Sequence, residues 1–298
     1  MILVTGATGM FGGGVTDQLV QRGVPVRAMT SNPGRAKQLR RPGVDPVVAD
    51  MDLTETLVDA MVGVDTIFLV SPMDDRVSVR EGNVLEAAQR VGVRRIVKLY
   101  GAVQHHGDRL GSLHDATVEA IRQSGLEWAL LSPTSVLETS LLSMIPWIEE
   151  VGAVVASAAE GKVAHVAADD VARAGAIVLA DRRENGRDYV ITGPQLLSLG
   201  DLCQIMSQAT GRPIPYIDVP DEELERLLVE EAGMTVDQAE ISVICHFRAW
   251  RNGQATACTD TYRELTGLQP TTADSWIESH RELFASARDK APSPTGSG

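Results

Sequence analysis

A short apolar run, Ile2-Leu3-Val4-Thr5, breaks into Gly6-x-x-Gly9-x-x-Gly12 at the very start of the chain. The β-branched run predicts a buried parallel strand. The glycines then serve a tight turn, a close backbone approach to a ligand, and close packing of the next helix on the sheet. That helix, expected over about 13–22, would aim the free N–H groups of its first turn at a pyrophosphate. Pro25-Val26-Arg27-Ala28-Met29 supplies a second strand and closes a βαβ unit. Glycine-rich turns are common, so the three glycines alone say little. The strand before them and the helix after them make this a dinucleotide site.

Strand and helix signals keep alternating through the first half. Strands are expected at 46–49, 65–70, 95–99 and 128–131, with helices at 54–62, 77–91 and up to about Ser124. Near-continuous apolar strands separated by helices imply a parallel sheet covered on both faces. This is the α/β, doubly wound Rossmann arrangement, whose ligand crevice lies at the carboxyl ends of the central strands. The second half changes character. Asp169-Asp170-Val171 begins a helix to about 180, with the aspartates as its expected cap. A strand at 188–191, a helix at 198–210, a short strand at 213–217 and glycine-interrupted helices follow. The expected organisation is a Rossmann core over 1–155 and a mixed region over 156–288. The latter returns to the core and forms a small, helix-rich C-terminal substrate lobe. A Pro/Ser/Gly tail over 289–298 is expected to be disordered.

Bulk composition excludes several classes of function. A net charge of −13, with no cluster of Lys and Arg, argues against a nucleic-acid surface and against an anionic membrane surface. No apolar run approaches the ~20 residues of a membrane-spanning helix, and with a strand beginning at residue 2 no signal peptide is expected. Cys203, Cys245 and Cys258 lie far apart without CxxC spacing, which suggests reduced, buried side chains and a cytoplasmic location. His105-His106, on a loop without a third ligand, reads as a solvent-exposed pair and not as a metal site.

Several stretches together resemble the NmrA-like atypical short-chain dehydrogenases, a group that includes quinone and triphenylmethane reductases. They are Leu3-Val4-Thr5-Gly6-Ala7-Thr8-Gly9, Val26-Arg27-Ala28-Met29, Asn32-Pro33, Leu69-Val70-Ser71-Pro72 and Val97-Lys98-Leu99. Later matches are Ser124-Gly125-Leu126 with Trp128, Asp170-Val171-Ala172, Thr192-Gly193-Pro194 and Gly211-Arg212-Pro213. The resemblance runs to about Phe284 and implies an NAD(P)-binding core with a small substrate lobe. It leaves the substrate open, because fold and function separate easily in such folds.

Strand position assigns the cofactor contacts. Gly6, Thr8, Gly9, Met10, Phe11 and Gly12 are expected at the pyrophosphate, Thr30, Ser31 and Asn32 at the adenosine ribose, and Asp50 and Met51 beside the adenine. Val70, Ser71 and Pro72 run along the nicotinamide ribose. An NAD-selective site places a carboxylate at the end of the second strand, and none stands between Met29 and Arg35. NADP-binding members of the resembled family often carry Arg where Ser31 stands, so the chain departs from that pattern too. With Arg35 and Lys37 one helical turn away, the expectation is NADP(H) over NAD(H). Arg35 and Lys37 read equally as solvated helix residues, and Asp50 equally as a cap for its loop.

The Tyr-x-x-x-Lys pair of most short-chain dehydrogenases has no counterpart, since counting back from Ser124-Gly125 puts Leu110 and His114 at those positions. Tyr100 stands where the superfamily commonly has Ser or Thr; it either hydrogen-bonds a substrate oxygen in the nicotinamide crevice or packs over the cofactor ribose. His114 reads as a proton relay or as a loop hydrogen bond, and Lys98 as a cofactor contact or a structural ion pair. The substrate wall is expected from Thr134 to Trp147, with Leu141, Met144, Ile145 and Trp147 as its apolar face, and around Phe247 and Trp250. The expected activity is NAD(P)H-dependent hydride transfer to a conjugated small molecule: a quinone, an aromatic compound or a polyketide-like enone. Delocalised acceptors spread negative charge and so tolerate a missing proton donor. The alternatives are a non-catalytic NAD(P)-binding redox sensor and a redox-neutral enzyme of secondary metabolism. The chain is expected to act as a monomer or homodimer on a hydrophobic or aromatic substrate.

Overall fold

The computed structural model of the chain describes residues 1–181 and 185–285. Seven strands form one parallel sheet: β1 (Ile2–Val4), β2 (Val26–Thr30), β3 (Val44–Val48), β4 (Thr66–Leu69), β5 (Arg95–Leu99), β6 (Glu127–Pro133) and β8 (Arg187–Ile191). Their spatial order is β3-β2-β1-β4-β5-β6-β8, with every ladder parallel. The order reverses at β1, so the crevice between β1 and β4 is the topological switch point at which such sheets take ligands. The tail expected over 289–298 lies outside the described residues.

Alternation along the strands divides the sheet's two faces. Phe68 and Val97 turn to one side with Val4, where α1 (Met10–Gln21) packs against a long helix over Ala168–Ala180. Ile67, Leu69 and Ile96 turn to the other with Leu3 and the buried faces of three helices. These are α3 (Thr54–Ala60), α4 (Val77–Val91) and α5 (Arg109–Gln123), α2 being the short Pro33–Leu39. The approach of α1 to its neighbour is close enough that a Cβ at Gly14 would come 2.9 Å from Ala172 Cβ.

The second lobe starts earlier than residue 156. Its apolar core takes in Leu137, Leu141, Met144 and Ile148, so packing assigns it α6 (Leu137–Leu142) and α7 (Ile145–Glu150). The chain then makes β7 (Val154–Ala156), a strand absent from the sequence reading, which pairs in parallel with β9 (Tyr216–Asp218). After α8 (Ala168–Ala180) and β8 have completed the main sheet, α9 (Leu199–Thr210), α10 (Asp221–Glu230), α11 (Val236–Ala239) and α12 (Cys245–Arg251) continue the lobe; α13 (Thr261–Thr266) then packs on α8, and α14 (Ala273–Ser279) and α15 (Arg281–Phe284) return to the core of the lobe. Between α11 and α12 the helix widens into a π-turn over Glu240–Ile244.

Two local expectations change. The N-cap of α8 is Ala167, without a side-chain bond, and Asp170 is instead buried, its carboxylate accepting from the backbone N–H of Thr271 at 2.6 Å. A buried carboxylate is stable only with such donors, so Asp170 ties the C-terminal segment to the core rather than capping a helix. Cys203 and Cys245 are buried as expected, but Cys258 is exposed.

Candidate functional site

The glycine turn has the geometry that a dinucleotide cradle requires. Gly6 adopts φ +58°, and a Cβ at Gly12 would lie 2.4 Å from Gly6 O, so any side chain there would collide with backbone. Thr5 locks the turn to the neighbouring strand, its hydroxyl donating to Val70 O at 2.6 Å and accepting from Val70 N at 2.7 Å. No side chain caps α1, whose N-cap is Gly9. The first-turn N–H groups therefore lack a side-chain acceptor at the point where helix dipole and backbone donors favour an anion. Thr8, Gly9 and Met10 are exposed here, and Phe11 is partly covered.

At the end of β2 the expected ribose contacts separate. Thr30 is buried and its hydroxyl accepts from Asn32 N at 3.3 Å, which holds the turn. Asn32 Oδ1 caps α2 by accepting from Gly34 N and Arg35 N, leaving only its amide nitrogen to donate elsewhere. Ser31 and Arg35 are exposed, and neither side chain makes a hydrogen bond or ion pair among the described residues. Asp50 Oδ1 accepts from Asp52 N at 2.9 Å and so holds its own loop, while Met51 is buried in the core on the α3–α4 side.

The strand parity noted above decides the fate of the residues at the end of β5. Lys98 follows Ile96 to the α4–α5 side and is buried completely. There its ammonium donates to both oxygens of Glu81 at 2.6 Å, with His114 Nδ1 at 3.2 Å. Ser71 Oγ adds a donor to Glu81 Oε1 at 2.8 Å, so this hydroxyl points at the ion pair, while Val70 is half-buried and Pro72 exposed. Burial lowers the Lys98 ammonium, against the pull of Glu81, and lowers His114 to about 3. Tyr100 shares the parity of Lys98. Its phenol donates to Asp115 at 2.7 Å on α5, and its ring meets His114 edge-on at 5.8 Å. Burial, then the Asp115 carboxylate, push its phenol upward. Leu99 and Gly101, of the opposite parity, line the crevice that Tyr100 was expected to face.

That crevice, of about 290 Å³, opens beside the glycine turn and is walled by Phe11, Leu99, Pro133, Thr134 and Val136. Its far side comes from the second lobe through Ser242 and His246, four residues apart at and just after the π-turn. It shares Ser135, Thr139, Ser242 and His246 with an adjoining space of about 280 Å³ lined by Phe247 and Trp250. The latter shares Met234, Val243 and Phe247 with an apolar hollow of about 330 Å³ beneath Met144 and Trp147. The expected wall is thus brought together except for Leu141, which is buried in the core of the lobe, and Ile145, packed against that core.

A polar assembly that sequence reasoning missed also borders this crevice. His105 is not solvent-exposed but buried; its Nδ1 donates to Asp108 Oδ2 at 2.7 Å, and its Nε2 is 2.8 Å from His246 Nδ1. Asp108 also caps α5, its Oδ1 accepting from Gly111 N at 2.8 Å. Position 111 must be glycine for the loop to fold over it, because a Cβ there would lie 1.9 Å from His105 O. Cys245 stands beside the two histidines, near enough for its Sγ and their ring nitrogens to be considered as metal ligands. The arrangement does not fit a metal. A 2.8 Å N–N contact is a hydrogen bond, and the thiol donates to Ile241 O at 3.2 Å and is pushed by burial up to about 12. The sequence pointed to this wall through Phe247 and Trp250, beside His246, but not to the pairing of His246 with His105.

No helix among the described residues is long and apolar enough to cross a membrane. Comparison with known proteins gives a consistent picture. The chain is 28% identical to the NAD(P)H azoreductase of Xenophilus azovorans, over 96% of its own length and 100% of that protein's. Its fold superposes on the NADPH-dependent quinone oxidoreductase of Escherichia coli in complex with NADPH with a TM-score of 0.86, at 25% identity, covering 94% of this chain and 99% of that one. For the triphenylmethane reductase of Citrobacter sp. in complex with NADP(H), the TM-score is 0.82 at 27% identity, over 94% and 100% of the two chains. The pattern described as the NmrA-like family matches residues 1–277.

Proposed function

This chain belongs to the NmrA-like family, and from that premise we propose that it is an NAD(P)H-dependent reductase of conjugated, apolar small molecules. The observation that carries the proposal is the crevice beside the uncapped glycine turn, walled by Phe11, Leu99, Pro133 and Val136 and continuous with apolar space under Phe247 and Trp250. Gly6, Gly9, Gly12 and the start of α1 would hold the pyrophosphate, and Val70 and Pro72 would flank the nicotinamide ribose. When bound, the cofactor supplies the hydride. The chain's own part is to seat a flat acceptor against the walls of the crevice and keep water from it. A flat, delocalised acceptor suits walls that are apolar and wide, and quinone, azo and triphenylmethane compounds are the classes named for the relatives.

NADPH is the preferred cofactor in this reading. Ser31 and Arg35 offer exposed donors at the end of β2, and no carboxylate stands between Met29 and Arg35 to repel a 2′-phosphate. Arg35→Ala should weaken NADPH binding by about tenfold, roughly one charge-assisted hydrogen bond, with little change for NADH. Equal losses for both would remove the assignment. The activity itself is tested by mixing the purified protein with NADPH and a panel of quinone, azo and triphenylmethane acceptors while following the reduced nicotinamide absorbance. NADPH binding is measured separately by fluorescence. Turnover with at least one class is expected. Tight binding without turnover on any acceptor would instead make the protein a cofactor-binding sensor, and no binding at all would overturn the reading.

A further inference from the structure

We propose that Asp108, His105 and His246 form a proton-storing chain that protonates the acceptor in the crevice as it is reduced. The proposal rests on the reductase reading above and adds to it the source of the proton. Its geometry is fixed by donors and acceptors. An ionised carboxylate can only accept, so His105 Nδ1 carries a hydrogen toward Asp108, at 2.7 Å. In the neutral ring His105 Nε2 is then an acceptor, and the 2.8 Å contact requires the hydrogen on His246 Nδ1. This leaves the lone pair of His246 Nε2 as the free end of the chain, on a residue that lines the crevice. Both rings are thereby held in the Nδ1–H tautomer, the minor form of free histidine.

The chain can load and discharge one proton without moving a heavy atom. In loading, a hydronium ion of the solvent gives its proton to His246 Nε2 and becomes water, while the hydrogen on His246 Nδ1 passes to His105 Nε2. The stored charge is then an imidazolium at His105, in contact with the Asp108 carboxylate, rather than on His246. In discharge, the acceptor takes one hydride, which carries both electrons, from a bound reduced nicotinamide, which is left oxidised. As negative charge develops on the acceptor's oxygen or nitrogen, the Nε2–H bond of His246 breaks and an O–H or N–H bond forms. The hydrogen on His105 Nε2 returns to His246 Nδ1, and the resting tautomers are restored. Burial lowers His105 despite the opposing pull of Asp108, and lowers His246 to about 3, so the resting rings are neutral. In this scheme His246 is a catalytic residue, while Asp108 and His105 are positioning residues. The π-turn immediately before α12 sets the helical phase that presents Ser242 and His246 to the crevice, a use to which such turns are often put.

The first test needs no turnover. Nitrogen-15 NMR of histidine-labelled protein without cofactor should show both rings as Nδ1–H tautomers. Asp108→Asn should reverse them, because Asn can keep the cap to Gly111 N only by turning its amide N–H toward His105. Ordinary Nε2–H tautomers in the unsubstituted protein would overturn the chain. The second test compares two acceptors. A quinone needs a proton as well as hydride, whereas a triphenylmethane dye cation is neutralised by hydride alone. In His246→Gln the ratio of quinone to dye turnover should fall about 100-fold, in the range of a positioned general acid. A ratio equal to that of the unsubstituted protein would overturn the proposal. Failure of the unsubstituted protein to reduce any acceptor would count against the reductase reading, and the tautomers would still decide whether the chain exists.

Discussion

Replacing Glu81 by Gln should be among the most destabilising single changes that preserve shape. The side chains of Lys98 and Glu81 are 0% and 1% exposed, and both Glu81 oxygens lie 2.6 Å from Lys98 Nζ. Removing one partner of a buried pair leaves an uncompensated charge and typically costs about 3–5 kcal/mol. An upper bound follows from the alternative open to the lysine. It can shed its proton, and doing so at pH 7 from a reference pKa near 10.4 costs about 5 kcal/mol. His114 Nδ1, at 3.2 Å, remains as a neutral acceptor and moderates the loss. The expected deficit is therefore about 3–5 kcal/mol, a large part of the ~5–15 kcal/mol that holds a domain folded. Urea unfolding at pH 7 measures it. The pH dependence carries the sign of the cause. With Glu81 gone, Lys98 titrates in the folded protein well below its unfolded value, so above that folded pKa the unfolded chain binds more protons. The deficit should then shrink as pH rises from 7 toward 10. The double change Glu81→Leu with Lys98→Met should recover most of the loss, because apolar residues of similar volume need no partner. A Glu81→Gln deficit below about 1 kcal/mol, the value of a surface pair, would refute the reasoning.

Two further outcomes follow from buried groups elsewhere. His165 is fully enclosed, edge-on to Trp250 at 5.1 Å, and burial lowers it to about 4. Relative to an unfolded value near 6.5, its contribution to stability is complete above pH 6.5 and is lost as pH falls toward 4, about 3 kcal/mol in all. Urea unfolding at pH 7 and pH 4.5 should show that the acid loss is smaller by about that amount in His165→Gln, and parallel losses would sink the assignment. A methyl group at Gly12 would meet Gly6 O at 2.4 Å and cannot be placed without shifting the turn. Gly12→Ala should cost about 1–3 kcal/mol in thermal unfolding and abolish NADPH binding measured by fluorescence; unimpaired binding would disprove the role of the turn.

The parts of this protein legible in its sequence are those whose physics is local. The glycine turn declares itself because the steric need at Gly6 and Gly12 falls within one strand–turn–helix unit, and the alternation of strands and helices follows from short-range apolar periodicity. The strand β7 was not legible, since three residues carry no period and its pairing with β9 bridges about sixty positions of chain. The side on which Tyr100 lies was legible in principle. It stands two residues after Lys98 and four after Ile96 at the end of one strand, so a decision on any of the three decides the others. Glu81 carried a signal as well. It falls in the apolar stripe of α4 with Val77, Val84 and Leu85, and a carboxylate in such a stripe calls for a buried cation. No signal of this kind joins His105 to His246, which are 141 residues apart and meet only because the second lobe folds back over the crevice.

The two buried polar assemblies beside the crevice therefore do different work. Around Glu81 every strong bond is internal: Ser71 and Lys98 donate to the carboxylate, Lys98 approaches His114, and Lys98, Glu81 and His114 are all buried. These bonds tie the ends of β4 and β5 to α4 and α5, and His114 Nε2, buried and without a partner among the described residues, does not reach the crevice lining. The Asp108–His105–His246 assembly is open at one end, because its last ring lines the space where an acceptor would sit. Leu110 and His114 of α5 are packed inward, and the titratable groups that reach the crevice come from the 101–108 loop and the second lobe. The glycine turn is thus specified within one strand–turn–helix unit, whereas the crevice beside it is walled by segments from far along the chain, so a change in the second lobe can reshape the crevice without touching the turn.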